Sequence, residues 1–412
     1  MRQEAGPLLV VNAGNLLFRR EEVKPEKMVE AQLTADLIVA SYNTMGCDAF
    51  NVGAYDLSLG IDYLMQKKAK AQFPFLSANL CDRHGKLLFQ PSLMKTVQGV
   101  KVAIFGLLSD DVKLDKVAGG NKIMVKDPYA VATELVPALK KAGADYVILL
   151  TDMVGRDCRR LAQQDLPINL IVGSSRKNQI SLPININQTY ITHLDRGGKS
   201  VGLLEVKFLD AQGLMALPVA ERMKGSEVGR CFYLNKFFQL RLSIPDHPVI
   251  APKVVALAEK IKRLQQVKAT QSMTIPGKKS MGVDGGNQYV GVEVCAKCHQ
   301  DRYALWQASE HSRAYQALVK KNQQFDADCI ACHSLAYERE GGFTDMKHIG
   351  FYTNVQCESC HGPGHLHVSS DGDPKKIVKE RNEAICLQCH ISEKSPDFDF
   401  ETYQIKVCGG AK

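Results

Sequence analysis

Through residues 1–245, short runs of aliphatic and β-branched residues alternate with stretches whose apolar positions recur every three or four residues. The runs PLLVVNAG (7–14), AFNVG (49–53), FPFLSANL (73–80), VKVAIFGLL (100–108), DYVILLTDM (145–153) and INLIVGSS (168–175) predict strands. Several are apolar almost throughout, as strands covered on both faces must be. PEKMVEAQLTADLIVASYNTMG (25–46) and DPYAVATELVPALKKAG (127–143) predict helices between them, the second opened by Asp-Pro and closed by glycine. Strands alternating with helices in this way predict an α/β layered domain. Residues 184–209 read as two further strands around a glycine-containing turn, which complete it.

A polar helix over 251–270 follows, then a glycine-rich, aperiodic linker over 271–291. Beyond it the pattern changes to short helices and polar turns, with too little aliphatic content for a conventional core. The chain therefore divides into an α/β domain (1–245), a helix and linker (246–290), and a small, mainly α-helical and loop-rich domain (291–412).

At 412 residues there is room for two or three domains. No apolar run approaches the roughly 20 residues of a membrane span. The N-terminus has no small-residue cleavage site before Arg19 and Arg20, so it reads as a first core strand, and any export signal lies outside this sequence. The net charge of +8 comes from scattered lysines and arginines with no basic block interleaved with aromatics, which argues against nucleic-acid binding.

Cysteine and histidine change the picture. Nine of the 13 cysteines and eight of the 11 histidines lie from Cys295 onward. They include four pentapeptides, CAKCH (295–299), CIACH (329–333), CESCH (357–361) and CLQCH (386–390), whose starts are 34, 28 and 29 residues apart. In C-x-x-C-H, two cysteines on neighbouring turns of a short helix can bond both vinyl groups of one porphyrin, and the adjacent histidine can ligate its iron. Cys295, Cys298, Cys329, Cys332, Cys357, Cys360, Cys386 and Cys389 are thus candidate anchors, and His299, His333, His361 and His390 candidate proximal ligands. Zinc sites or redox thiols would leave the invariant fifth-position histidine unexplained. Four c-type haems would supply the missing core, and their propionates would bring the loaded chain closer to neutral. His311, His348, His365 and His367 are candidate distal ligands, and spacing does not say which serves which haem.

CAKCHQDRYALWQASEHSRAY, CESCHGPGHLH and CLQCHISEKSPDFDFETYQIKV resemble the cytochrome c554 family over nearly all of 290–412. The resemblance implies axial roles for His311 and His367. Relatives often carry a histidine soon after a tyrosine near the end, where this chain has Cys408; a thiolate ligand, a free thiol and a lost ligand are all open there, with no iron bond preferred.

NAGNLLF, CDAFNVGAYDLSLGIDYL, FPFLSANL, VKVAIFGLL, ADYVILLTDM, INLIVGSS and DRGGKSVGLLEV occur in the order of landmarks that resembles the metallophosphoesterase domain of bacterial periplasmic 5'-nucleotidases. That family holds two metal ions with carboxylate, histidine and asparagine. Here Gly14-Asn15 stands for its Gly-Asp, Gly53-Ala54-Tyr55-Asp56 for its Gly-Asn-His-Glu, Asp152 near its later histidine, and GSSRK (173–177) for its Gly-His-x-His. The first Asp-x-His has no counterpart. No dinuclear metal and no phosphoesterase activity are expected. Cys47, Cys81, Cys158 and Cys231 are left as disulfides, ligands of another metal or buried thiols, and His84, His193 and His247 as ordinary surface or loop residues.

These readings predict a multihaem c-type cytochrome that transfers electrons outside the cytoplasm, in the periplasm or at the cell surface, on a phosphoesterase-like scaffold. Its partners would be redox protein donors or acceptors, with a homo-oligomer or filament open. A haem enzyme acting on a small nitrogen or oxygen species at an open haem, and a residual nucleotide phosphohydrolase, are the alternatives.

Overall fold

The computed structural model describes residues 8–174, 183–193, 200–209, 224–240, 244–272, 287–321, 323–324, 326–337, 339, 342–343, 349–378, 383–391 and 394–408. Its contacts divide the chain into two compact units, Met1–Leu257 and Ala258–Lys412. Among the described residues no helix is long and apolar enough to cross a membrane.

In the first unit the short strands β1 (Val11–Asn12), β2 (Ala49–Asn51) and β3 (Phe75–Leu76) form a parallel sheet in that order. β4 (Leu80–Asp82) pairs with β7 (Ile123–Val125). Six strands make the large sheet: β5 (Ser92–Val97), β6 (Val100–Leu107), β8 (Tyr146–Thr151), β9 (Leu170–Gly173), β10 (Ile184–Ile186) and β11 (Thr189–His193), in the spatial order β10-β11-β9-β8-β6-β5. Its four inner strands are parallel and its two edges antiparallel. β12 (Ser200–Phe208), β14 (Cys231–Gln239) and β13 (Ser226–Val228) make a third, antiparallel sheet.

Alternation along β6 and β8 explains the layers. Ala103, Phe105, Val147 and Leu149 enter one core with helices α3 (Pro128–Lys141) and α4 (Gly155–Ala162). Val102, Ile104, Tyr146 and Ile148 enter another with Val228, Cys231 and Tyr233 of the third sheet. Both faces are apolar because both are covered. Helices α1 (Met28–Met45) and α2 (Ile61–Lys70) cover a third core around Phe50, Phe73 and Phe75.

Both predicted helices form. α1 stops at Gly46, whose φ of 69° is left-handed, and α3 starts where the Asp127 carboxylate accepts the Ala130 N–H at 2.7 Å. The strand reading needs two corrections. FPFLSANL is split into β3 and β4, because Ser77 and Asn79 turn the chain: Asn79 exchanges side-chain bonds with the Leu108 backbone, and its carbonyl accepts from Lys126. Residues 184–193 form a hairpin of their own at Asn187, φ 51°, while β12 joins a different sheet; the glycine-containing stretch 194–199 lies outside the described residues. β14 escaped the sequence reading, yet Tyr233 is central: its ring stacks on Tyr190 at 4.3 Å and its hydroxyl accepts that of Tyr146 at 2.9 Å.

Helix α5 (Ala251–Ser272) contains the division between the units, and most of the expected linker, 273–286, lies outside the described residues. Among its described residues the second unit is a set of short helices around one small apolar cluster, Tyr315, Leu318, Ile330, Leu335, Ala336, Phe343 and Tyr352. This agrees with a region whose aliphatic content cannot fill its own centre.

Candidate haem-binding site

Each pentapeptide is folded as a single helical turn. The second and third lie wholly inside helices Ala327–His333 and Cys357–His361. In the first and fourth, the histidine N–H donates to the carbonyl of the first cysteine, His299 to Cys295 at 3.0 Å and His390 to Cys386 at 2.9 Å. Such a turn carries both cysteines and the histidine on adjacent positions, which is what two thioethers and an axial bond to one porphyrin need.

The histidine rings are aimed by their backbone-side nitrogen. His333 Nδ1 donates to the Ala314 carbonyl at 2.6 Å and His361 Nδ1 to that of Val378 at 2.7 Å. His367 Nδ1 donates to the Asp373 carbonyl at 2.9 Å, and His390 Nδ1 lies 3.1 Å from Ser395 Oγ. A carbonyl on Nδ1 fixes the tautomer that leaves Nε2 as a lone-pair donor, the usual way a protein prepares an imidazole for a metal. Burial, then the neighbouring His390 and His333, hold His311 below the ordinary histidine range, and burial does the same for His390. The neutral ring is the ligating form.

Two pairs of histidine rings are neighbours. His299 and His367 have centroids 6.2 Å apart, and His311 and His390 6.0 Å apart. An iron bonded to two imidazoles at about 2 Å each would set their centres about 6 Å apart. The donor set therefore fits c-type haem.

The motifs also meet one another. The Cys295 thiol hydrogen-bonds with Cys357, and Cys332 with Cys389, so the first motif touches the third and the second touches the fourth. Cys360 is near enough to act electrostatically on Cys389, which brings the third and fourth together. Trp306 Nε1 donates to the Val355 carbonyl at 2.7 Å, holding the helix before His311 against the third motif. Two residues without any spacing signal organise this region. Gln356 accepts the Val292 N–H at 2.7 Å, and buried Glu358 accepts from Val290, Gly291 and Gly364. Their partners are remote in sequence, so only folding reveals them.

Gly362, φ 74°, ends the third helix and starts a turn into the short helix His365–Ser369, from which His367 reaches His299. His365 on the same helix is exposed. His348 lies outside the described residues, as does the side chain of Cys408.

In the first unit the positions that stand for phosphoesterase ligands do converge, at strand ends, but their polar atoms are turned on the backbone. Asp56, fully buried, accepts N–H bonds from Asn15 at 2.8 Å, Gly53 at 2.9 Å and Leu17 at 2.8 Å. Asp152 accepts from Ala54 at 2.7 Å and Ser109 at 2.8 Å, and Asn15 Oδ1 accepts from Tyr55. Ser174 Oγ donates to the Ala13 carbonyl. Among the described residues no three His, Cys, Asp or Glu side chains are grouped to hold a metal ion. His193, expected at the surface, is instead buried in β11 against Gly173, and burial pushes its imidazole down to about 4. His84 and His247 are exposed, while Cys47, Cys81, Cys158 and Cys231 are buried thiols.

Burial raises the Asp56 carboxyl to about 6 and that of Asp152 to about 7, against an ordinary 3.8. The folded state then keeps protons that the unfolded chain releases, so this contribution to stability is complete below pH 3.8 and is lost as pH rises through 6 and 7. Stability of the first unit is expected to fall by on the order of 2 kcal/mol per carboxyl between about pH 5 and pH 8. Urea unfolding at the two pH values measures this. Asp152→Asn should flatten its share, and a flat profile in the unaltered protein would count against it.

The family model described as cytochrome c554 and c-prime matches residues 294–362. Cytochrome c-554 of Nitrosomonas europaea is 28% identical over 150 residues, covering 32% of this chain and 62% of that protein. A 5'-nucleotidase of Vibrio parahaemolyticus is 26% identical over 246 residues, 52% of this chain and 42% of its own length. The chain thus spans less than two thirds of either relative. Of solved structures, the calcineurin-like phosphoesterase YfkN from Bacillus subtilis superposes with a TM-score of 0.50 at 19% identity, covering 63% of this chain and 85% of that one. The 5'-nucleotidase precursor from Thermus thermophilus gives 0.50 at 20% identity, with coverage of 64% and 52%. The chain therefore joins an α/β region with the fold of calcineurin-like phosphoesterases and 5'-nucleotidases to a C-terminal segment of which residues 294–362 match the cytochrome c554 and c-prime family model.

Proposed function

We propose that this protein carries four c-type haems, one on each pentapeptide, and relays electrons among them outside the cytoplasm. The observation that carries the reading is the pairing of His299 with His367 and of His311 with His390, each pair spaced for an iron between two imidazoles. Haem iron supplies reversible one-electron chemistry. The chain's own residues anchor, aim and insulate it. The eight pentapeptide cysteines hold the rings covalently, and the Ala314 and Val378 carbonyls keep His333 and His361 in the ligating tautomer. The cysteine contacts support an order in which the first haem neighbours the third, the third the fourth, and the fourth the second. Covalent attachment to C-x-x-C-H on the outer side of the cytoplasmic membrane supports the location, and redox proteins would be donor and acceptor.

In the phosphoesterase-like region, Asp56 and Asp152 spend their oxygens on backbone N–H groups, which supports a lost hydrolase retained as platform or docking surface. An absorption spectrum with haem quantitation on the purified protein tests the relay. Four haems per chain with a low-spin spectrum indifferent to nitric oxide or hydroxylamine are expected. Fewer haems would overturn the count, and a spectral change on adding those ligands would favour a redox enzyme. Nucleoside monophosphates incubated with manganese or zinc should release no phosphate.

A further inference from the structure

Glu358 stands between the two cysteines of the third motif, yet its side chain is buried, 1% exposed. Oε1 accepts the N–H groups of Val290 at 2.9 Å and Gly364 at 2.7 Å, and Oε2 accepts that of Gly291 at 2.7 Å. Among the described residues both oxygens face N–H donors, an arrangement that suits a carboxylate. No lysine or arginine forms an ion pair with it among the described residues. The N–H dipoles make burial of the charge tolerable without cancelling it. The charge also reaches the neighbouring motif: Cys295 hydrogen-bonds with Cys357 and feels the Glu358 carboxylate. Around the other touching pair the charges that reach the thiols are Lys394 at Cys332 and Arg339 at Cys389, the Arg339 guanidinium donating to Gln388 at 2.9 Å, and both side chains are exposed. Lys297, Arg339 and Lys394 are all exposed and therefore screened by solvent, whereas buried Glu358 is not, so the contrast between the pairs rests on Glu358.

We propose that Glu358 sets the direction of electron flow, by holding the haems anchored at Cys295–Cys298 and Cys357–Cys360 at lower potential than those at Cys329–Cys332 and Cys386–Cys389. A buried negative charge penalises an added electron, so this pair favours the ferric form. An electron entering there runs downhill to the pair beside Arg339 and Lys394, one iron passing from ferrous to ferric as another passes from ferric to ferrous. The inference rests on the four-haem reading, and haem content separates the two.

The test is a redox titration of the purified holoprotein, followed by absorption and electron paramagnetic resonance, with haem content measured on each sample. Glu358→Gln should shift the lowest-potential haems toward reduction by about tenfold in the reduced-to-oxidised ratio, about 59 mV for one electron. Glu358→Asp, which keeps the charge, should move them less. A fully loaded Glu358→Gln protein with unshifted potentials overturns the inference. Paramagnetic NMR assignment in the unaltered protein decides it without any variant: the low potentials must belong to the haems on His299 and His361, and their assignment to His333 and His390 overturns it. Haem content below four in the unaltered protein would instead overturn the underlying reading.

Discussion

Replacing Cys357 and Cys360 together by serine is expected to remove one haem in four and to loosen the whole C-terminal unit. Serine is nearly the same size, but its hydroxyl does not form the thioether, so haem loss is separated from loss of packing volume. The third motif is held by several long-range contacts. Its helix abuts Cys295, its Gln356 and Glu358 side chains hold residues 290–292, and its histidine is aimed by Val378. Asn287 donates to the Pro363 carbonyl at 2.7 Å, and His365 N–H to that of Gln288 at 3.0 Å, so the same turn ties down the segment that leads into the first motif. With one small apolar cluster among the described residues of the unit, a lost macrocycle is not replaced by side chains. Binding energy of a buried prosthetic group is folding energy, and several kcal/mol should disappear with it. Intact-mass spectrometry and haemochrome absorbance read the stoichiometry, and thermal unfolding reads the stability. Retention of all four haems would sink the assignment of these cysteines.

His311→Ala should turn one low-spin haem high-spin, the one anchored by Cys386 and Cys389. The His311 ring stands 6.0 Å from that of His390 and is held neutral by burial, so alanine would leave the iron with one protein ligand. Its helix should survive, since Trp306 remains bonded to Val355. About a quarter of the haem absorbance should acquire high-spin character and bind carbon monoxide when reduced, and added imidazole should restore the low-spin spectrum. His367→Ala should do the same to the haem on His299. His365→Ala, at an exposed position two residues earlier, should leave the spectrum unchanged. An unaltered spectrum in His311→Ala would remove that residue from the ligand set.

Much of the fold was legible because its signals are local. VKVAIFGLL and DYVILLTDM are apolar on both faces, and they became β6 and β8, two inner strands of the large sheet. The DPYAVATELVPALKKAG helix announced its own ends. Where tertiary contacts override local pattern, the reading slipped. FPFLSANL is continuous in hydrophobicity, yet the Asn79 side chain bonds across to Leu108 and breaks it into two strands. His193 looked like a loop residue because nothing local says that β11 lies inside the sheet next to β9.

The same division applies to the chemistry. Spacing alone determined the four C-x-x-C-H turns, since two thioethers and an axial nitrogen on one porphyrin must come from neighbouring residues. The expectation that Asn15, Tyr55, Asp152 and Ser174 stand where the resemblance implies phosphoesterase ligands also came from the residues themselves. Only the tertiary structure decided that His367 neighbours His299 and His311 neighbours His390, that Cys295 meets Cys357, and that Glu358 is buried with no ion pair among the described residues. Each of these joins residues far apart in the chain, and a contact that depends on where loops return is set by packing, for which local sequence carries no period or spacing.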